Sequence, residues 1–157
     1  MGHSQLDALS IARQAEDKAA RFYTEAAEKC SDPRGKNLFL QLAEFERTHS
    51  KKLDQLIDSL SVSEGYVEYD GTELVRAEIE TPAGVVAESG DVLDIISQAI
   101  EAERNAKETY EKLAQETDDP LGKDMFNKLA QEEAQHERLL NDQFYSLSNL
   151  GYWVWGE

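Results

Sequence analysis

Cysteine is almost absent from this 157-residue sequence, where Cys30 stands alone. One thiol excludes an internal disulfide, a Cys-x-x-Cys redox pair and any iron or zinc centre built from the chain's own thiolates. Placed near a helix end, Cys30 reads as a structural residue. Basic residues are also few, 16 against 32 acidic ones, which leaves a net charge of −16. Counterion release needs a basic face, so nucleic acid is excluded as a partner and anionic membranes are disfavoured. No apolar run approaches the roughly 18 residues of a membrane span. No charged leader with an apolar core and a small-residue cleavage site opens the chain, and the expected location is the cytoplasm. The opening "MGHS" reads as an expression-vector remnant. Histidine is the third scarcity: His3 falls in that remnant, leaving only His49 and His136.

What the sequence does contain is helical periodicity over one domain's length. Apolar residues recur at helical spacing over about 5–30, through Leu6, Leu9, Ala12, Ala15, Ala19, Phe22, Tyr23 and Ala26. "SDPRG" then interrupts the pattern, with Asp32 as N-cap and Pro33 at the first helical position. A second helix is expected over 33–60, a third over 92–115 and, after a second Asp-Pro start in "TDDPLG", a fourth over 120–145. Residues 61–91, bearing Gly65, Gly71, Pro82, Gly84 and Gly90, lose the period and read as a long crossover. Extended at about 3.3 Å per residue, such a segment outreaches a helix and can carry the chain from end to end of a bundle. Short extended pieces are expected around "YVEYDGTEL", with Asp70-Gly71 as a turn. The tail, 146–157, holds both tryptophans and is too short for a fifth helix, so it should pack back on the bundle or on a partner subunit.

Shifting the chain on itself by 87 residues exposes an internal repeat. Asp32-Pro33-x-Gly35-Lys36 falls on Asp119-Pro120-x-Gly122-Lys123, and Glu46-x-x-His49 falls on Glu133-x-x-His136. Over positions 10–53, 17 of 44 residues are identical in this register, which makes the protein a doubled helical hairpin. The expected fold is therefore all-α, a four-helix bundle of two repeated hairpins joined by the crossover.

The repeat also pairs the residues that carry chemistry. Positions three apart share a helix face, so Glu46 with His49, and Glu133 with His136, can each grip one ion. Both remaining histidines fall in this motif. On the partner helices Glu16 and Glu103 sit among Ala12, Ala15 and Ala19, and among Ala99, Ala102 and Ala106, small residues expected to face the interior and leave room there. Four converging carboxylates repel one another unless cations intervene, and two divalent ions balance their charge of −4. A Glu from each of two helices and a Glu-x-x-His from each of the others is the inventory of di-iron and di-manganese carboxylate bundles. The ligands suit iron, and manganese equally. Tyr23 and Tyr110, two turns beyond Glu16 and Glu103, are expected to pack in the core or to hydrogen-bond a ligand carboxylate. Glu44, Glu101, Glu108, Glu132 and Glu137 are expected to turn away into solvent.

From about 5 to 145 these residues, with "AEDKAARFY" and "AERNAKETY", resemble the ferritin-like superfamily and, within it, the rubrerythrin family's di-iron domain. The resemblance implies two iron ions bridged by Glu46 and Glu133, capped by Glu16 with His49 and by Glu103 with His136. It implies reduction of hydrogen peroxide or dioxygen. Family members are re-reduced by an iron–sulfur carrier, often fused at the C-terminus. With one cysteine this sequence carries no such module, so an external donor such as a rubredoxin-like protein is implied. An additional family glutamate, one turn after the third-helix ligand, is replaced here by Ala106, which moves the site towards the simpler ligand set of bacterioferritins. Those proteins carry a haem-binding Met after the second-helix Glu, where this chain has Arg47, and their cage needs a fifth helix. A ferroxidase or iron-handling role is the first alternative, and a metal-free helical interaction module the second. The long crossover is compatible with a homodimer, including a domain-swapped one.

Overall fold

The computed structural model describes residues 3–74, 88 and 90–155. Four α-helices account for most of them: α1 (His3–Lys29), α2 (Pro33–Ser61), α3 (Gly90–Glu116) and α4 (Pro120–Asn149). They form a ferritin-like bundle. Helix α1 packs along α2 and α3 along α4, and the two hairpins meet more sparsely, α1 against α3. Helix α4 runs four residues beyond the expected 145.

The two hairpin turns repeat in their bonding as well as in sequence. Asp32 accepts a hydrogen bond from the Arg34 amide at 2.8 Å, and Asp119 accepts from the amides of Leu121 and Gly122 at 2.8 and 3.2 Å. Each cap satisfies amides that the first helical turn leaves without partners, and the proline at the helix start gives up none that was needed. Lys36 Nζ donates to the Ala27 carbonyl at 3.1 Å, and Lys123 Nζ to the Ala114 carbonyl at 2.9 Å, tying each helix start to the end of the helix before it.

The glycines of these turns are required by what covers them. A Cβ on Gly35 would lie 2.5 Å from the Trp153 ring, and one on Gly122 would lie 2.7 Å from the Tyr66 ring. Aromatic groups from the two non-repeated segments, tail and crossover, thus close equivalent turns. Gly35→Ala and Gly122→Ala should each cost about 1–3 kcal/mol through overpacking. Chemical denaturation of both variants checks this, and wild-type midpoints would contradict the packing described.

Two apolar clusters sit at different levels of the bundle. One gathers Tyr23, Phe39, Leu42, Ile96, Leu140 and Trp153; the other gathers Leu9, Leu53, Leu56, Tyr69, Phe126 and Leu129. Along each helix the acidic and histidine positions fall between these levels, so the polar site has a dry layer on either side.

The expected extended pieces near 66–74 do not form strands among the described residues. Gly71, at φ +93°, makes the turn, and Tyr69 is buried in the second cluster. The part of the crossover at 75–87, including Pro82 and Gly84, lies outside the described residues. The tail folds back on its own bundle. Trp153 is fully buried, stands edge-on to Phe39 at 5.8 Å and donates to Glu88 at 2.9 Å. Trp155 donates to Asn37 at 3.0 Å. Cys30 is a buried free thiol, pushed up to about 12 by burial and by the nearby Glu88 carboxylate, which keeps it in the inert protonated form.

Candidate metal centre

Glu16, Glu46, His49, Glu103, Glu133 and His136 converge at mid-bundle, each at most 3% exposed. His49 Nδ1 lies 2.9 Å from Glu133 Oε1, 3.4 Å from Glu16 Oε2 and 3.8 Å from Glu46 Oε2. His136 Nδ1 lies 3.4 Å from both Glu46 Oε1 and Glu103 Oε2. Two overlapping groups result, Glu16/Glu46/His49/Glu133 and Glu46/Glu103/Glu133/His136, each with ligand atoms within 4.8 Å of one another and each able to hold a metal ion. Glu46 and Glu133 belong to both.

One buried atom on each of the six has no hydrogen-bond partner: Glu16 Oε2, Glu46 Oε1, His49 Nδ1, Glu103 Oε2, Glu133 Oε1 and His136 Nδ1. Buried polar atoms are otherwise almost always paired, so six orphans pointing at one place mark a cation site. Oxygen and imidazole nitrogen donors with two shared carboxylates fit a pair of divalent ions of the iron or manganese kind.

The outer face of the cluster is tied down across the hairpins. Tyr23 on α1 donates to Glu103 Oε1 on α3 at 2.7 Å, and Tyr110 on α3 donates to Glu16 Oε1 on α1 at 2.6 Å. Each tyrosine therefore fills the core and also orients a carboxylate, leaving that residue's second oxygen turned inward. Burial and the surrounding carboxylates hold both phenols well above their ordinary range, fixing them as donors.

Charge is unevenly shared among the acids. Burial, followed by repulsion from neighbouring carboxylates, pushes Glu46 and Glu133 well up. Burial acts against the charge on Glu16 and Glu103 too, yet both end below the ordinary range. Hydrogen bonding to Glu46 and the His49 charge outweigh it at Glu16; the His136 charge and hydrogen bonding to Glu133 outweigh it at Glu103, which falls to about 2. For His49, burial favours the neutral ring, but Glu16 and the bond to Glu132 push it well up.

Two expectations need correction. Glu132 does not turn into solvent: it is 8% exposed and accepts hydrogen bonds from His49 Nε2 at 2.9 Å, from the Tyr69 hydroxyl and from the Thr72 amide at 2.6 Å. On a bare bundle its position would be wet, but crossover residues 69–72 lie over it. The repeat held a usable signal, because Glu132 is equivalent to Phe45, which is a core position. Glu44, Glu101 and Glu108 are exposed, and Glu137 pairs with Arg104 at 2.8 Å. The second correction concerns the alanines. Ala12 and Ala99 are buried, whereas Ala15 and Ala102 are exposed. Because α1 and α3 meet only sparsely, the small-residue stripes line a groove of about 380 Å³ together with Ile11, Ala106, Glu16 and Glu103, rather than an enclosed space. It leads from the surface to the carboxylates.

A four-helix bundle with paired carboxylate and histidine clusters across a duplicated hairpin defines a ferritin-like protein of the carboxylate-site class. The Rubrerythrin family model matches residues 7–143, and the chain belongs to that family. A solved structure of a hypothetical protein from Pyrococcus furiosus is similar, with a TM-score of 0.77 and 28% identity over 96% of this chain and 94% of that one. No curated protein matches. Among the described residues, no helix is long and apolar enough to cross a membrane.

Proposed function

We propose that this chain is a di-iron oxidoreductase that reduces hydrogen peroxide or dioxygen with electrons from an external donor. The observation that carries the reading is the set of six unpaired, inward-facing donor atoms on two Glu-x-x-His motifs and two further glutamates. Glu16 with His49 would hold one ion, Glu103 with His136 the other, and Glu46 and Glu133 would be shared. Two iron ions held there would supply a pair of electrons for cleavage of an O–O bond without release of a one-electron product. The chain's residues supply the rest. The apolar groove between α1 and α3 admits a small oxidant from the open side. Tyr23 and Tyr110 keep Glu103 and Glu16 from swinging into that groove, through charge-assisted bonds worth about 1.5–3 kcal/mol each. Glu46 and Glu133, whose proton affinity is raised in the metal-free chain, would exchange those protons for the ions they share. The dry layers above and below confine that exchange to the site.

A second reading is favoured by Ala106, a small residue on the groove wall where a further carboxylate could stand. With six ligands and an open approach, the same centre could oxidise ferrous iron as a substrate and pass it on. Stopped-flow oxidation of anaerobically iron-loaded protein separates the two. The oxidoreductase reading expects a single two-iron turnover that is at least about tenfold faster with peroxide than with dioxygen, about 1.4 kcal/mol in barrier. Faster reaction with dioxygen, continuing as iron beyond two equivalents is added, would replace it with the ferroxidase reading.

A further inference from the structure

We propose that Glu132 is a positioning residue for His49 that makes the two metal positions unequal, so that the ion held through His49 binds first and more tightly. This rests on the metal-site reading above. The repeat would otherwise make the positions alike, since each offers one terminal glutamate, one histidine and the same two shared carboxylates. The surroundings of the two imidazoles break the equivalence.

His49 is held from behind. Its Nε2 donates to Glu132 Oε1 at 2.9 Å, which leaves Nδ1 facing Glu133 and Glu16. A carboxylate on the far nitrogen fixes both tautomer and ring orientation and makes the near nitrogen a stronger donor to a metal. Glu132 is itself immobilised. The Tyr69 hydroxyl shares Oε1, and the Thr72 amide holds Oε2 at 2.6 Å. A Cβ on Gly71 would come within 3.2 Å of that same oxygen. Lys128, one turn earlier on α4, donates to the Tyr69 carbonyl at 3.1 Å and pins the crossover to the helix that carries Glu132.

His136 has none of this. The position equivalent to Glu132 is Phe45, whose ring stands edge-on to His136 at 4.2 Å and to His49 at 4.9 Å. Among the described residues no carboxylate meets His136 Nε2. One imidazole is thus held at its far nitrogen by a charged acceptor that the crossover clamps, and the other, among the described residues, has no carboxylate there.

Anaerobic titration of metal-free protein with cobalt(II), followed by its visible absorption and by calorimetry, tests the proposal without reference to turnover. Wild type should fill in two steps at least about tenfold apart. Glu132→Gln should weaken the tighter step by roughly 10–100-fold, the range found when such supporting partners are lost, and bring the two steps together. His136→Ala should abolish the weaker step and leave the tighter one. Equal affinities in wild type, or two unchanged steps in Glu132→Gln, would overturn the asymmetry while leaving the metal site intact. No binding of cobalt, iron or manganese by wild type would instead remove the metal-site reading itself. If Glu132→Gln does not fold, wild type loaded with diamagnetic zinc(II) still decides. Imidazole nitrogen NMR should find a slowly exchanging, downfield Nε2 proton on His49 and a faster-exchanging one on His136, and matching protons would overturn the proposal.

Discussion

Ferrous or manganous ion added to the metal-free protein should raise its stability by about 4 kcal/mol per site once free ion stands about a thousandfold above the dissociation constant. In a domain of this size each kcal/mol moves Tm by about 2–4 °C, so the first site alone should add roughly 8–16 °C. The sign of the pH dependence follows from the site. Glu46 and Glu133 are pushed up from 4.5 and His49 from 6.5 in the folded chain. A group raised on folding contributes stability that is complete below its unfolded value and is lost as pH climbs through the folded one. The metal-free protein should therefore weaken as pH climbs above about 5. Glu16, Glu103 and Glu132 are shifted the other way, and their contribution is already complete above 4.5. Metal ions take the place of the held protons, so filling both positions should release protons from Glu46, Glu133 and His49. The metal-induced rise in Tm must then be larger at about pH 8 than at about pH 5.5. Scanning calorimetry at both, with isothermal titration in buffers of different ionisation enthalpy, measures the two effects. A rise in Tm independent of pH, with no proton release, would contradict this charge distribution.

The bundle was legible in the sequence because duplication wrote it twice. Asp32-Pro33 and Asp119-Pro120 mark the helix starts, and their caps form as the residue types require. The six clustered residues were legible for the same reason: scarce histidines at matched repeat positions leave little room for coincidence. What periodicity could not reach is whatever the non-repeated segments do. A helical wheel reads position 132 as solvated because it knows nothing of a crossover lying across α4. It reads Ala15 and Ala102 as interior because it assumes that α1 and α3 close against each other. They meet only sparsely, and the stripe becomes a groove wall. Tail and crossover have no repeat partner and no period, so the Trp153 and Tyr66 covers over Gly35 and Gly122 emerge only in three dimensions.

Glu46→Leu should cost the protein both metal ions and yet stabilise the metal-free fold by about 1–3 kcal/mol, because an apolar side chain often improves on a buried ionisable group. Glu46 touches both candidate positions, so no four-residue group survives its loss. Its ion-pair distances are 3.4 Å to His136 and 3.8 Å to His49, too long for good hydrogen bonds, and its hydrogen bonding is to another acid, Glu16, which keeps the bond from Tyr110 when Glu46 is replaced. Burial and three neighbouring carboxylates all work against its charge. Leucine is of similar length, removes that cost and joins the apolar layers on either side. The same change at Glu103 should act oppositely in the metal-free protein. Tyr23 donates to Glu103 at 2.7 Å in a fully dry setting, and its orphaned hydroxyl would cost about 1–3 kcal/mol. Denaturant unfolding of the two metal-free variants, with metal content by elemental analysis, makes the comparison. Two ions retained by Glu46→Leu would break the assignment of Glu46 as a shared ligand. Destabilisation of both variants alike would mean that the cluster holds the fold together without metal, and that its carboxylates are structural. A rise in one and a fall in the other is the result expected of a site whose shared acids are strained for a cation and whose outer acids are anchored by tyrosine.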